Sequence, residues 1–185
     1  MRIAFYPVSD GELKAAIKAM KIIVDTREQS NSHLTDYFKA KKIGYDVRKL
    51  EYGDYSLELP LKIEGAPPCV SLEKKIVIER KHSIDEIVTN LGSDRDRFEK
   101  ELVRIKADGA KCILFLENFS FDRVLMGSAA GGYRSQMPPD QIILNLNQMI
   151  VRYDLHLVTL NDRVHSGRLL TSLLARHAYE YLKGS

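Results

Sequence analysis

The chain has 185 residues, 44% of them hydrophobic and 29% charged, with 28 basic and 25 acidic side chains and a net charge of +3. This composition is that of one globular domain with a sizeable core, and no stretch is apolar enough and long enough to span a bilayer. The small basic excess permits nucleic-acid binding without requiring it.

A short strand over Arg2–Tyr6, a turn at Pro7–Gly11 and a helix over Glu12–Ala19 are predicted in the first 19 residues. Because Met20 is itself a natural start, residues 1–19 are interpreted as an appendage and residues 20–185 as a single domain. In the alternative, which stays open, the first 19 residues belong to the fold.

Three strands and a helix are predicted between residues 20 and 59. The first strand ends in the polar sequence Asp25-Thr26-Arg27-Glu28, and the helix that follows ends near Lys42. The second and third strands are separated at Gly53, which predicts a bend or a close backbone approach just before Asp54. A proline-containing excursion over residues 60–75 precedes the next strand.

The chain is organised around residues 76–85. Three apolar β-branched residues predict a buried strand, and the alternation of side chains puts Glu79 and Lys81 on one face and Arg80 on the other. A capping serine follows, with Asp85 in the first turn of a helix. A carboxylate and an ammonium at the end of a buried strand are costly for stability alone. The pattern favours a site for a metal and a phosphate, and its alternative is an ordinary Glu–Lys pair closing a strand.

The second half of the chain alternates helices with strands. Helices are predicted at 94–107, 139–153 and 166–182, and strands at 112–116 and 155–160. Residues 120–137 contain three glycines and predict a mobile loop. The helix over 94–107 has a basic face, interpreted either as a solvated surface or as a DNA contact.

Strands and helices therefore alternate after an initial meander of three strands. This order predicts an α/β fold with a mixed central sheet and helices on both faces. The last helix is apolar along residues 169–181, which fits either a core helix or a dimer contact.

Acidic residues lie at the ends of several predicted strands and in the turns between them: Asp25, Glu28, Asp54, Glu79 and Asp85. Hydrolysis of a phosphodiester needs a hard cation with oxygen ligands, which carboxylates supply. Because Mg²⁺ keeps several waters, two or three carboxylates suffice, and Asp54 and Glu79 are the best pair. Lys81, on the face of Glu79, can reach the attacking water or the developing charge on phosphate.

Some of these residues also have a plainer structural interpretation. Asp25 can cap the turn after its strand, and Asp85 can simply exploit the positive end of its helix. Arg27, placed among carboxylates, has a structural role even without a substrate.

The order of the motifs resembles the XPF-type (ERCC4 domain) family of structure-selective DNA endonucleases. Gly53-Asp54, then Glu79-Arg80-Lys81 and Asp85 after three intervening residues, is similar to the family signature G-D, E-R-K-x-x-x-D. Asp25-Thr26-Arg27-Glu28 is similar to its D-x-R-E element. The specific motifs lie within residues 20–117, and beyond them residues 133–139 and 151–154 resemble phage and bacterial members.

The resemblance implies a stand-alone nuclease domain with a restriction-endonuclease-like core. It implies that Asp54 and Glu79 bind Mg²⁺ or Mn²⁺, joined by Asp25, and that Lys81 is the catalytic lysine. The remaining motif residues would complete or brace the site: Arg27, Glu28, Arg80 and Asp85. In-line attack of water on phosphorus, a 5′-phosphate product and a homodimer through the C-terminal helices are also implied.

The sequence thus predicts a metal-dependent endonuclease for branched, flap or junction DNA in repair, recombination or replication. One alternative is a catalytically silent DNA-binding or scaffolding subunit, and another is a nuclease of the same core fold that cuts unbranched DNA. The excursion over residues 60–75 is longer than the family pattern, and no tandem helix-hairpin-helix domain is present in these 185 residues. The preferred DNA structure therefore stays open.

The two cysteines bear on redox chemistry and location. Cys69 and Cys112 are isolated in the sequence, which argues against a structural zinc site and against a disulfide framework. This usage favours the reducing cytoplasm of a bacterial or phage-infected cell.

Overall fold

The computed structural model of the protein describes residues 9–62 and 66–184. The strands of this part are β1 (Lys21–Val24), β2 (Gly44–Val47), β3 (Tyr55–Pro60), β4 (Cys69–Ser71), β5 (Ile76–Lys81), β6 (Lys111–Leu116) and β7 (His156–Thr159). The helices are α1 (Asp10–Lys18), α2 (Ser32–Ala40), α3 (Ile84–Leu91), α4 (Arg95–Ala107), α5 (Phe121–Met126), α6 (Pro139–Tyr153) and α7 (Ser166–Lys183).

The strands form one mixed sheet in the order β2-β1-β3-β5-β6-β7, with β4 paired to β3. β1 and β2 are parallel, β3 is antiparallel to both of its long neighbours, and β5, β6 and β7 are parallel. The predicted meander of three strands is therefore wrong. Because α2 carries the chain back to the starting edge of the sheet, β2 runs parallel to β1, and β3 then pairs on the other side of β1.

Each face of the sheet carries its own hydrophobic core. On one face, α3, α4 and α6 pack against apolar side chains that include Val77 and Leu114. On the other face, α1, α2 and α7 pack against side chains that include Ile78 and Ile113. The prediction of a mixed sheet with helices on both faces is confirmed, and neighbouring residues of β5 face opposite cores.

The N-terminal helix packs into the second of these cores. Ser9 caps α1 in a capping box with Glu12, so the helix begins at Asp10, slightly earlier than predicted. Leu13 and Ala16 are buried, and α1 contacts α7 and β3. The strand predicted before it, at residues 2–6, lies outside the described residues.

The segment predicted as a mobile loop, residues 120–137, contains α5 and a 3₁₀ turn at Ser128–Ala130. The Ser120 side chain caps α5 by accepting from the N–H of Arg123. Further along, Tyr133 is buried, and its hydroxyl donates to the carbonyl of Met137 at 2.6 Å. Val124 of α5 and Tyr133 are both buried in the first core, so the segment is packed against its surroundings, which its glycine content alone did not indicate.

The apolar stripe of α7 is used inside this chain. Leu170, Leu174 and Ala178 are fully buried in the second core. The contacts of these residues are those of a core helix, one of the two interpretations that the sequence allowed. Within the described ranges, no helix combines the length and the apolar character needed to cross a lipid bilayer.

Candidate active site

Three chain segments meet where β1 and β5 end and β3 begins. Tyr55 pairs with Val24 on one side and with Ile78 on the other, so Asp54 lies beside both strand ends. The N–H of Asp54 donates to the carbonyl of Ile78 at 2.9 Å, and the Asp54 carbonyl accepts from the N–H of Asp25 at 2.8 Å. The antiparallel orientation of β3 thus sets its first residues against the last residues of two other strands.

Gly53 makes this meeting sterically feasible. Its φ angle is +72°, and a Cβ at this position would lie 2.9 Å from the Cβ of Val77. Its N–H donates to Oε1 of Glu101, on α4, at 3.0 Å. The close backbone approach predicted at Gly53 is confirmed, and Glu101 is an acidic neighbour of the site that the sequence did not indicate.

Asp54, Glu79 and Lys81 form one cluster, which we call the carboxylate–lysine cluster. Oδ2 of Asp54 accepts from the N–H of Arg80, directly after Glu79, at 2.8 Å. Oε1 of Glu79 accepts from Nζ of Lys81 at 2.6 Å, and these two residues are only 4% and 8% exposed. The Lys81 ammonium also lies 5.2 Å from the centre of the Phe98 ring. Oε2 of Glu79 is buried without a hydrogen-bond partner in the described part of the chain.

Burial and mutual charge shift the protonation equilibria of the cluster. Burial, followed by the charge of Glu79, raises the pKa of Asp54 well above its ordinary value. Burial also raises the pKa of Glu79, although Lys81 partly opposes this. Burial disfavours the ammonium of Lys81, but Glu79 and Asp54 outweigh it and raise the Lys81 pKa. Two carboxylates facing one ammonium leave an excess negative charge that a cation can neutralise.

The cluster has donor atoms that suit a hard cation. Across residues 9–62 and 66–184, no three His, Cys, Asp or Glu side chains converge into a site made of protein ligands alone. Mg²⁺, however, is commonly held by one or two carboxylates and keeps several waters. Asp54 and the unpaired Oε2 of Glu79 supply those carboxylate oxygens, so the residues present fit such an ion.

Arg80 points to the opposite face of the sheet, as the alternation predicted. Its Nη1 donates to Oε1 of Glu28 and its Nη2 to Oε2 of Glu117, each at 2.8 Å. Glu117 also lies 2.9 Å from Nε2 of His33, on α2. Burial raises the pKa of Glu28, whereas the pKa of Glu117 is lowered because Arg80 and its other hydrogen-bonding neighbours together outweigh the effect of burial. This buried network braces the end of β5 from behind the carboxylate–lysine cluster.

Glu117 and His33 were not predicted as site residues. One signal for Glu117 exists in the pattern, since it follows β6, the strand that runs parallel beside β5. His33 carried no such signal, because its partner lies 84 residues away in the sequence.

Asp25 and Arg27 close the turn after β1. Oδ1 of Asp25 accepts from the backbone N–H of Arg27 at 2.8 Å and from its Nε at 2.6 Å, and Oδ2 accepts from the N–H of Leu50 at 2.6 Å. These bonds outweigh burial and lower the pKa of Asp25. Both oxygens of this fully buried carboxylate are engaged, so its contacts are those of a turn-capping residue and do not support its predicted role as a third metal ligand.

Asp85 is tied to residues 127–137 instead of to the carboxylate–lysine cluster. Its Oδ1 accepts from the N–H of Arg134 at 2.7 Å and its Oδ2 from Nε of the same residue at 2.9 Å. These bonds outweigh partial burial and lower the pKa of Asp85. The eight predicted residues thus divide into the cluster, the network around Arg80 that includes Glu28, the Asp25–Arg27 turn and the Asp85–Arg134 pair.

Comparison with known proteins places this arrangement in a family. The structure is similar to that of XPF from Aeropyrum pernix, with a TM-score of 0.58 and 16% identity over 83% of this chain and 63% of that chain. A second structure, XPF from Aeropyrum pernix in complex with DNA, gives a TM-score of 0.58 and 17% identity over 84% of this chain and 63% of that chain. This chain therefore spans less than two thirds of the XPF chains that it matches.

The likeness confirms the predicted restriction-endonuclease-like α/β core. No curated protein matches the sequence. The family model of the ERCC4 domain matches residues 24–173, which include all of the site residues described above. The chain belongs to the ERCC4 domain family.

Proposed function

We propose that the chain is a Mg²⁺- or Mn²⁺-dependent DNA endonuclease whose reaction centre is the carboxylate–lysine cluster. The observation that carries this proposal is the convergence of Asp54, at the start of β3, with Glu79 and Lys81, at the end of β5, and one buried Glu79 oxygen that has no hydrogen-bond partner among the described residues. Membership of the ERCC4 domain family and similarity to an XPF structure in complex with DNA support it.

Asp54 and Glu79 would hold the cation. When bound, such an ion stabilises negative charge that develops on the phosphate and assists ionisation of the attacking water. The two carboxylates are held for this purpose by the backbone N–H of Arg80 and by Nζ of Lys81.

Lys81 contributes a permanent positive charge. Because the neighbouring carboxylates raise its pKa, it remains an ammonium at neutral pH and is a poor general base. An ammonium packed against the ring of Phe98 and shielded from water interacts strongly with a phosphate oxygen as negative charge develops. We therefore assign Lys81 to electrostatic stabilisation of the reacting phosphate.

The proposed substrate is branched, flap or junction DNA, cut to leave a 5′-phosphate and a 3′-hydroxyl, in repair, recombination or replication. The first alternative is a catalytically silent DNA-binding or scaffolding subunit, and the intact cluster argues against it. Cleavage of unbranched duplex by the same cluster is the second alternative. Homodimerisation through the C-terminal helices and a cytoplasmic location stay predictions.

A cleavage assay tests the proposal. Wild-type protein, Glu79→Gln and Lys81→Met are incubated with labelled flap, junction and linear duplex DNA in Mg²⁺, in Mn²⁺ and with EDTA. Wild type should cut the branched substrates only with metal, and each variant should lose about 10²–10³-fold in rate while still binding DNA. Lys39→Met, at an exposed lysine paired with Asp36, is the matched control and should cut normally. Unchanged cleavage by either cluster variant would refute the assignment.

A further inference from the structure

A second concave site lies close to the carboxylate–lysine cluster. A pocket of about 610 Å³ opens between the N-terminus of α3 and residues 127–136. Its wall carries two arginines, Arg123 and Arg134, together with the polar side chains of Ser83 and Asn118. This volume is in the range of pockets that hold small ligands or parts of a larger substrate.

The charge of this pocket is positive. Of the acidic side chains in the described residues, only Asp85 contributes to its wall, and it is paired with Arg134 at 2.9 Å. Arg123 donates to the carbonyl oxygens of Asn118 and Gly132, and no described carboxylate lies within ion-pair distance of it. The positive end of α3 adds to these two cations. The pocket therefore carries one more positive charge than negative charge before any ligand is bound.

The wall of the pocket is preformed. Gly132 lies so close to α5 that a Cβ on it would be 2.1 Å from the carbonyl oxygen of Arg123, and its N–H donates to Gly127 at 3.0 Å. The next residue, Tyr133, is buried. Arg134, by contrast, has a side chain that is 88% exposed. A fixed backbone that carries an accessible guanidinium suits the binding of an anion with little loss of conformational freedom.

The position of the pocket suits a strand of DNA. Ser83, in its wall, lies two residues beyond Lys81, so the Cα atoms of these two residues are at most about 7 Å apart. The phosphates of one DNA strand repeat about every 3.4 Å along the helix axis. A strand with one phosphate at Lys81 would therefore present another phosphate near Ser83, one or two nucleotides away.

We propose that this pocket binds a phosphate of the cleaved DNA strand, one or two nucleotides from the bond being cut, through Arg123 and Arg134. Asp85 holds Arg134 in place in the free protein, and the phosphate then competes with it for the guanidinium. Asp85 is thus a positioning residue for an arginine. The inference deepens the proposed function and rests on it for the identity of the substrate.

The test measures DNA binding with EDTA present, so that cleavage plays no part. Affinity for flap DNA is measured from low to moderate salt for wild type, Arg134→Ala and Arg123→Ala. Loss of one phosphate contact should weaken binding about tenfold at low salt and reduce the slope of log affinity against log salt by about one. Arg176→Ala is the matched control, because Arg176 is also exposed and paired with a carboxylate, and it should leave both values unchanged.

Asp85→Asn tests the competition. The amide oxygen can still accept from the N–H of Arg134, but the competing negative charge is gone, so affinity for DNA should rise. A correctly folded Asp85→Asn protein that binds DNA no better than wild type, or an unchanged salt slope in Arg134→Ala, would overturn the inference. If Arg123→Ala does not fold, the Arg134→Ala and Asp85→Asn results decide it.

Modified DNA distinguishes the sources of the phosphate. If the bound phosphate is internal, a neutral methylphosphonate one or two nucleotides from the cut should lower DNA affinity as much as Arg134→Ala does. If the bound phosphate is terminal, removal of the 5′-phosphate should have that effect instead. If the wild-type protein cuts no DNA but Arg134→Ala and Arg123→Ala lose affinity and salt slope, the nuclease proposal is refuted and the pocket stands as a phosphate site. If the wild-type protein cuts DNA but Arg134→Ala has the same salt slope as wild type, the nuclease proposal stands and the pocket proposal is refuted.

Discussion

Neighbouring residues at the end of β5 contact different groups on the two faces of the sheet. Glu79 and Lys81 enter the carboxylate–lysine cluster, whereas Arg80 between them is 4% exposed and joins the carboxylates of Glu28 and Glu117 on the other side. This division was predictable, because side chains alternate along any strand. The sequence marks Glu117 only as an acidic residue that follows a buried strand, and its pairing with Arg80 was not predictable because it depends on which strand lies beside β5.

Asp54→Asn should stabilise the protein in the absence of metal. The folded-state pKa of Asp54 is raised above its value in the unfolded chain, so the stability of the wild-type protein falls as the pH rises from the unfolded-state pKa through the folded-state pKa. The asparagine removes this charge and can still accept from the N–H of Arg80. We expect a melting temperature about 2–4 °C higher at pH 7, the shift that roughly 1 kcal/mol produces in a chain of this size.

Two controls test the difference in melting temperature between Asp54→Asn and wild type, namely its dependence on pH and its dependence on metal. Well below about pH 4 the carboxylate is protonated in both folded and unfolded wild-type protein, so the two melting temperatures should converge. Added Mg²⁺ should raise the melting temperature of wild type only, because a ligand stabilises the state that binds it. A lower melting temperature for Asp54→Asn at pH 7 without metal would contradict the prediction.

At the level of elements, the site depends on how β3 enters the sheet. β3 is antiparallel to β1 and β5, so its first residues lie against the ends of both. The sequence indicated the strands and the bend at Gly53, but the predicted meander paired them in the wrong order. Strand pairing is set by contacts between distant segments, and the local pattern around each strand carries little information about its neighbours.

Gly53→Ala should damage both stability and cleavage. The substitution forces a side chain into a positive-φ conformation and places its Cβ 2.9 Å from Val77. Gly109→Ala is the matched control, since Gly109 has a φ of +68° but no atom within 4 Å of the added Cβ. Urea denaturation should show a loss of about 1–2 kcal/mol for Gly109→Ala and a further 1–3 kcal/mol for Gly53→Ala. Only Gly53→Ala should slow cleavage. If both variants lose the same free energy of unfolding, the contact with Val77 is unimportant.

At the scale of the whole molecule, a helix belongs to the fold when its apolar side chains pack into one of the two cores that cover the sheet. Helical periodicity predicted α4, α6 and α7 to within a residue or two, because their apolar stripes face a core in the same chain. The helix inside residues 120–137 was missed, since it is only six residues long and three glycines follow it closely. The place of α1 could not be read from residues 1–19, because its partners lie on β3 and α7.

Leu13→Ala tests whether α1 is an appendage or part of the core. Leu13 is 3% exposed, so its truncation should lower the free energy of unfolding by about 2–3 kcal/mol if α1 unfolds together with the domain. Leu144→Ala, at a leucine of α6 that is 63% exposed, is the matched control and should change stability by less than about 0.5 kcal/mol. A Leu13→Ala protein as stable as wild type would favour the appendage interpretation.

The direction of β3 also separates the proposed reaction centre from the connection between β3 and β4, which is part of the excursion over residues 60–75. Asp54 precedes β3, whereas the pairing of Pro60 with Cys69 lies at the other extremity of this strand. Six residues of extended backbone, about 20 Å, therefore stand between the two. We expect a longer or shorter connection there to leave Asp54, Glu79 and Lys81 in place, which makes it a suitable position for a fluorophore or an affinity tag.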